Sequence, residues 1–379
     1  MRPKRPTSSR RAYLTTLGIG VSAALGGCLR SSEANRKRWW FGTDFRIRSS
    51  PTVVDGTVFV GSSDRSLYAL NANDGEEQWT FDTGDQIWAS PRVVDDTVFV
   101  GSDKLYALDV EDGTERWAFD IGSWSFYSSP AVANGTVFVG GTDHCVYALN
   151  AEDGSERWAF ETGSWVRSSP VVVDGTVYVG SHDNHVYAVT AEEGSERWAF
   201  ETGSWVQSSP TVVDGTVFVG SWDRTVYALD AATGVEIWTV ETGGGIWSSP
   251  TVADGTVFIG SGEYREPEDT TLYALDAATG AEMWTVETDA GVWSSPTVVD
   301  STAIVGSLGG QIHALDLQDG SERWVARNLG KIESSPTVVD DTLFVGSYNH
   351  NVYALDASVS GSSEDSRIEH GTLGHHDAT

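Results

Sequence analysis

The sequence predicts an all-β chain closed into an eight-bladed β-propeller with four strands per blade, and three observations carry this expectation. The stretch SERWAFETGSWV occurs twice without change, from Ser155 and from Ser195, and a forty-residue spacing is the mark of stacked supersecondary units. The prolines of Ser-Ser-Pro or Ala-Ser-Pro fall at Pro51, Pro91, Pro130, Pro170, Pro210, Pro250, Pro296 and Pro336, which divides the chain into eight units. Seven of these units share an Ala-(Leu/Val)-x-x-x-x-Gly-x-x-x-Trp block. Composition agrees, since 41 Gly, 16 Trp, 13 Phe and 12 Tyr against 2 Met favour short strands and tight turns over long helices.

From the N-terminus, SSRRAYLTTLGIGVSAALGGC joins a basic start to a modest apolar run that is too short to span a bilayer. Its Arg10-Arg11 pair resembles a twin-arginine (Tat-type) export signal. Leu-Gly-Gly-Cys resembles a lipobox, which makes Cys28 the expected lipidated first residue of the mature chain. Residues 1–28 are therefore read as a lipoprotein signal peptide and 29–38 as a linker. The propeller, 39–358, is then expected on the extracytoplasmic face of the cell membrane, held by its lipid anchor.

Within one unit, PTVV, TVFVG, LYAL and EEQWTF read as successive strands. Asp55-Gly56 supplies a two-residue hairpin turn between the first two, and the pair recurs at Asp174-Gly175, Asp214-Gly215 and Asp254-Gly255. Four strands per forty residues is the pattern of a propeller blade. The eighth unit stops after YALDAS without its Trp block, yet Trp39 stands twelve residues before Pro51, as Trp79 does before Pro91. The strand around WWFGT is therefore expected to complete the last blade and close the ring, which leaves few sheet edges open. Burying each recurring Trp removes about 150–250 Å² from water, worth at most about 4–6 kcal/mol, so these indoles belong in the core. From Val359 the periodicity ends, and 359–379 read as a disordered acidic tail whose His370, His375 and His376 are too few for a metal site.

The formal charge of −30 excludes nucleic acid as a partner, because such a surface repels phosphate backbones. Only Lys4, Lys37, Lys104 and Lys331 are lysines, and an acidic, lysine-poor surface resembles that of proteins from salt-accumulating halophiles. With Cys28 spent on lipid, Cys145 has no partner, so no disulfide framework is expected and Cys145 reads as a strand residue. Asn134 in Asn-Gly-Thr is a glycosylation sequon and also a hairpin turn. A monomer is expected.

Alternation of strand direction places the near-invariant turns on one face of the disc and the variable second-to-third connections and blade links on the other. On that variable face the residue three before each proline is Arg48, Trp88, Tyr127, Arg167, Gln207, Trp247, Trp293 or Glu333. Two residues earlier stand Arg46, Trp165, Trp205 and Lys331, among others, and the position between is always apolar. The candidate ligand or partner face is thus Arg46, Arg48, Trp88, Tyr127, Trp165, Arg167, Trp205, Trp247, Trp293 and Lys331, a cationic sector beside an aromatic rim. The longer GEYREPEDTT connection of blade six adds an acidic loop of Glu263, Glu266, Glu268 and Asp269, which reads as solvated, with binding of calcium or of a partner as the alternative.

The eleven-residue block ending in Trp resembles the tryptophan-docking motif of the PQQ-like propeller repeats found in quinoprotein alcohol dehydrogenases and in BamB-type lipoproteins, and the resemblance covers residues 39–357. It implies eight blades, and a fold alone implies no reaction. The dehydrogenases of that family carry long insertions, a calcium site, an adjacent cysteine pair and a catalytic Asp, whereas this chain has nearly minimal blades and no adjacent cysteines. No catalytic residue or metal ligand is assigned. The reading is a non-catalytic protein-binding scaffold; the alternatives are a dehydrogenase using PQQ with calcium and a small-molecule receptor.

Overall fold

The computed structural model describes residues 36–262 and 269–359. Arg10, Arg11, Cys28, the acidic stretch 263–268 and the tail beyond Val359 lie outside the described residues. Within them, 32 strands form eight four-stranded antiparallel sheets. The first blade runs in simple order through β2 (Thr52–Val54), β3 (Thr57–Gly61), β4 (Ser66–Asn71) and β5 (Glu77–Asp82). Asp55 and Gly56 turn it with φ of 48° and 73°, a left-handed pair that Asp tolerates and Gly adopts freely.

The last blade is built from both ends of the chain. β30 (Thr337–Val339), β31 (Thr342–Gly346) and β32 (Asn351–Asp356) are completed on the outside by β1 (Lys37–Gly42), with Trp39 opposite Ala354 and Trp40 opposite Tyr353. The closing strand starts at Lys37, inside the segment read from sequence as linker.

Two circular hydrogen-bond sets hold neighbouring blades. Near the axis, each second serine of the Ser-Ser-Pro motif accepts from the backbone of the one before it: Ser50 N–H donates to Ser90 Oγ at 3.0 Å, and the relay runs through Ser129, Ser169, Ser209, Ser249 and Ser295 to Ser335. Ser335 N–H returns to Ser50 Oγ at 2.9 Å. Farther out, each outer-strand indole donates from Nε1 to a carbonyl of the next blade. Trp39 reaches Ala72, Trp79 Val110, Trp117 Ala151, Trp158 Ala191, Trp198 Ala231, Trp238 Ala277, Trp284 Leu317 and Trp324 Ala357, at 2.9–3.1 Å.

The invariant glycine of the block explains itself here. Gly75 has φ +73°, and a Cβ on it would lie 2.6 Å from the Trp39 ring. Gly113, Gly154, Gly194, Gly234, Gly280 and Gly320 meet their indoles in the same way. At the eighth joint the block is missing, and Arg36 takes the glycine's place: its guanidinium lies 4.3 Å from the Trp324 ring centroid and donates to Ser358 Oγ at 2.7 Å and Asp356 O at 3.1 Å. The apolar positions between rim residues (Ile47, Ile87, Phe126, Val166, Val206, Ile246, Val292 and Ile332) are all fully buried.

Asp269 departs from the sequence reading. It is buried and accepts hydrogen bonds from the Ser261 and Tyr273 hydroxyls, doing for blade six what the turn aspartates Asp183 and Asp223 do for their own blades. It is a structural acceptor and no part of a solvated loop.

Trp39→Ala should lower stability by about 3–5 kcal/mol, the usual loss for a deleted core indole, whereas Trp205→Ala on the rim should cost under about 1 kcal/mol. Denaturant titration at matched salt tests this, and equal losses at the two positions would mean that indole docking does not hold the ring.

Candidate functional site

The variable face is held rigidly by backbone bonds between its two kinds of segment. The residue after Gly-Ser at the end of a second strand donates its N–H to the carbonyl five residues before the blade's proline. Ser63 pairs this way with Arg46, His182 with Trp165, Trp222 with Trp205 and Tyr348 with Lys331, at 2.9–3.0 Å. The next Asp fastens the link: Asp183 Oδ2 accepts from Gly163 N at 2.6 Å and from the Tyr187 hydroxyl at 2.8 Å. Side chains on this scaffold are placed by ladders and not by mobile loops.

At the axis lies a bowl of about 390 Å³, lined by Arg46, Arg48, Trp88, Tyr127, Arg167, Trp247 and Trp293 of the predicted face, together with Gln207, Glu333 and Tyr348. Trp88 stacks on Tyr127 with ring centroids 4.5 Å apart, and Trp247 on Trp293 at 4.4 Å. These pairs come from blades two and three and blades six and seven, so ring order sets them opposite each other. Arg48 covers Trp88 at 4.0 Å, and Arg167 lies 5.2 Å from the Tyr127 ring centroid.

Trp165 and Trp205, predicted for the same face, stand outside the bowl on its rim. They join residues that the sequence reading did not single out: Trp165 leans on His182 (6.0 Å), which stacks on Trp205 (4.9 Å), which stacks on Trp222 (5.1 Å). Trp222 then meets Trp247 edge to face at 5.4 Å, so the arc runs into the bowl. Trp165, Trp205 and Trp222 are 38%, 44% and 37% exposed, large values for indole. His182, Trp222 and Tyr348 share the position after Gly-Ser, which varies between repeats as Ser63, Gly262 and Leu308 show. That variability was the available signal.

Lys331 does not line the bowl, but its charge acts on Glu333. Burial pushes the Glu333 carboxyl up, opposed by Arg48, the Tyr348 hydroxyl, Arg46 and Lys331. Arg48 Nε lies 3.3 Å from Glu333 Oε2. Burial lowers Arg167, and Arg48 pushes in the same direction. Away from this face, Asn134 occupies an exposed turn at φ 48°, bordering a groove with Arg116 and Arg157. Cys145 opens β12 (Cys145–Asn150) half-buried, with its thiol pushed up by burial and by Asp143, which disfavours the reactive thiolate.

Residues 26–123, 101–211 and 203–376 match a family model described as outer membrane protein assembly factor BamB. No curated protein matches the chain by sequence. Among solved structures, BamB from Moraxella catarrhalis superposes with a TM-score of 0.72 at 20% identity, covering 84% of this chain and 99% of that one. A europium-containing methanol dehydrogenase gives 0.70 at 15%, covering 82% and 85%. Quinohemoprotein alcohol dehydrogenase from Comamonas testosteroni gives 0.69 at 16%, covering 88% and 78%. At these identities the structural likeness establishes the propeller fold and leaves function to the site.

His182 gives the arc a pH dependence. Burial, then the charge of Arg167, lowers its imidazole to about 4, while Gln207 and Asp183 pull the other way. An unfolded imidazole titrates near 6.5. Between those values the unfolded chain binds more protons than the folded one, so the His182 contribution to stability falls as pH drops from about 6.5 through about 4. His182→Gln should therefore lose less stability than the parent between pH 6.5 and 4, as read by denaturant midpoints at constant salt. Parallel curves would show that His182 titrates normally.

Proposed function

The chain belongs to the PQQ-like propeller family described as outer membrane protein assembly factor BamB, and from that premise we propose an exported, lipid-anchored propeller that binds other proteins through its variable face and performs no chemistry itself. The observation that carries the reading is the arc of three half-exposed indoles running into an arginine-lined bowl, on the one face where the repeats differ. Exposed aromatic area of this kind marks an interaction surface, and Trp and Arg are the residues that most often dominate binding energy. The anchor is Cys28, delivered by the Arg10-Arg11 signal, and the acidic surface suits concentrated salt.

The family likeness also brings the quinone and calcium pair of the dehydrogenases into view, and the bowl does not fit the calcium. Calcium takes six to eight oxygen ligands, several of them carboxylates. The bowl offers one carboxylate, Glu333, already charge-paired with Arg48 and facing Arg46. A site lined by three guanidinium groups repels a divalent cation.

Capture of membrane proteins in molar salt by the full chain tests the proposal. The triple variant Trp165→Ser, Trp205→Ser, Trp222→Ser should recover at least ten-fold less of any specific partner, while Arg116→Gln on the opposite face should recover as much as the parent. Cys28→Ser should move the chain from the membrane to the soluble fraction. Equal recovery by the arc variant would overturn the reading, as would dye-linked alcohol oxidation on adding quinone with calcium.

A further inference from the structure

Several buried polar atoms find no hydrogen-bond partner among the described residues, and five of them belong to residues that line the bowl: Nε of Arg46, Arg48 and Arg167, Nε1 of Trp247, and Oε1 of Glu333. Leaving a buried polar group unmade costs about 1–3 kcal/mol, and more for charged groups. Three guanidinium groups also face one carboxylate, so the bowl keeps an excess of two positive charges inside a chain of formal charge −30. Three guanidinium groups against one carboxylate, with Arg48 already ion-paired to Glu333, specify the complement: several acceptor oxygens with two negative charges, plus one N–H or O–H.

Geometry narrows this further. Arg46 and Arg48 enter from blade one and Arg167 from blade four, so the donors lie on separate arms, and a guanidinium fork matches a carboxylate better than a spherical anion. Inside the bowl Trp88 is stacked by Tyr127 and covered by Arg48, and Trp247 is stacked on Trp293, so these ring faces are already partnered, which disfavours sugar stacking.

We propose that the bowl is a dicarboxylate site, taking two carboxylates that flank an amide N–H, with Arg46 and Arg48 on one carboxylate, Arg167 on the other and Glu333 accepting from the N–H. The arrangement is that of a polypeptide ending in Asp or Glu, or of a free N-acylated acidic amino acid. Exposed charges are screened within about 3 Å at 1 M salt, but Arg48 and Glu333 are 23% and 11% exposed, so recognition here survives salt that erases surface attraction.

Calorimetric titration of the full chain in about 2 M KCl, where surface charges are screened, with N-acetylglutamate, N-acetylglutamine and an N-acetylated tripeptide ending in Glu tests this. N-acetylglutamate should bind saturably and N-acetylglutamine at least ten-fold more weakly. Arg48→Gln and Arg167→Gln should each weaken binding at least ten-fold. Glu333→Gln should strengthen it, because the acceptor stays while the competing charge goes, and this gain is one that a merely damaged fold would not produce. Tighter binding of the tripeptide than of N-acetylglutamate assigns the site to chain ends, and equal binding to free acids. Absence of saturable binding by both dicarboxylates, or variants that bind as the parent does, overturns the proposal. The inference goes beyond the protein-binding reading and fails separately from it, since the arc variant retains all three arginines.

Discussion

An indole N–H donating to a carbonyl of the neighbouring blade, with the ring lying flat on a left-handed glycine, is the contact on which the rest of the molecule depends. A four-stranded sheet alone has two open edges and two faces to cover. Docking each outer strand under the next blade's turn covers a face and fixes the angle between blades in one step. Trp39 makes the same bond to Ala72 that Trp324 makes to Ala357, so the last joint keeps the indole bond of the first even though Arg36 stands there in the glycine's place. The axial serine relay then sets the radius, since each N–H must reach the hydroxyl of the next blade. The bowl inherits its shape from these two constraints.

A rigid ring explains how a nearly repetitive sequence presents a non-repetitive surface. The buried positions are almost the same in every blade, so substitutions three and five residues before each proline change what is displayed without changing where it is displayed. Arginines gather in blades one and four, aromatic pairs in blades two, three, six and seven, and a half-buried acid in blade eight. Charge and shape at the bowl are thus written by about ten side chains on a frame that does not yield to them.

Most of the frame was legible from spacing. Twelve residues from Trp39 to Pro51 was enough to place the closing strand, because an outer strand, a link and an inner strand take the same length in every unit. The bowl was legible but for Tyr348, and the arc only in part. Counting back from the prolines found Arg48, Trp88, Tyr127, Arg167, Trp247 and Trp293, which lie on the same segment as the marker used to count. His182, Trp222 and Tyr348 belong to a different connection, and only the backbone bonds to Trp165, Trp205 and Lys331 bring the two into register. Arg36 was invisible to any repeat-based reading, since it stands in for a glycine that the eighth unit lacks and arrives from more than three hundred residues upstream.

That substitution has a mechanical consequence. The chain ahead of Arg36 leads straight into the clamp formed with Trp324, Asp356 and Ser358, and from there into β1 zipped along β32. A pull transmitted along that leading segment is felt first by the seam where the two termini meet, before any blade hinge. The guanidinium grips across this seam as the fitting on a cable grips its sheath, spreading load onto the C-terminal blade and delaying the peeling of the strand that keeps the circle shut.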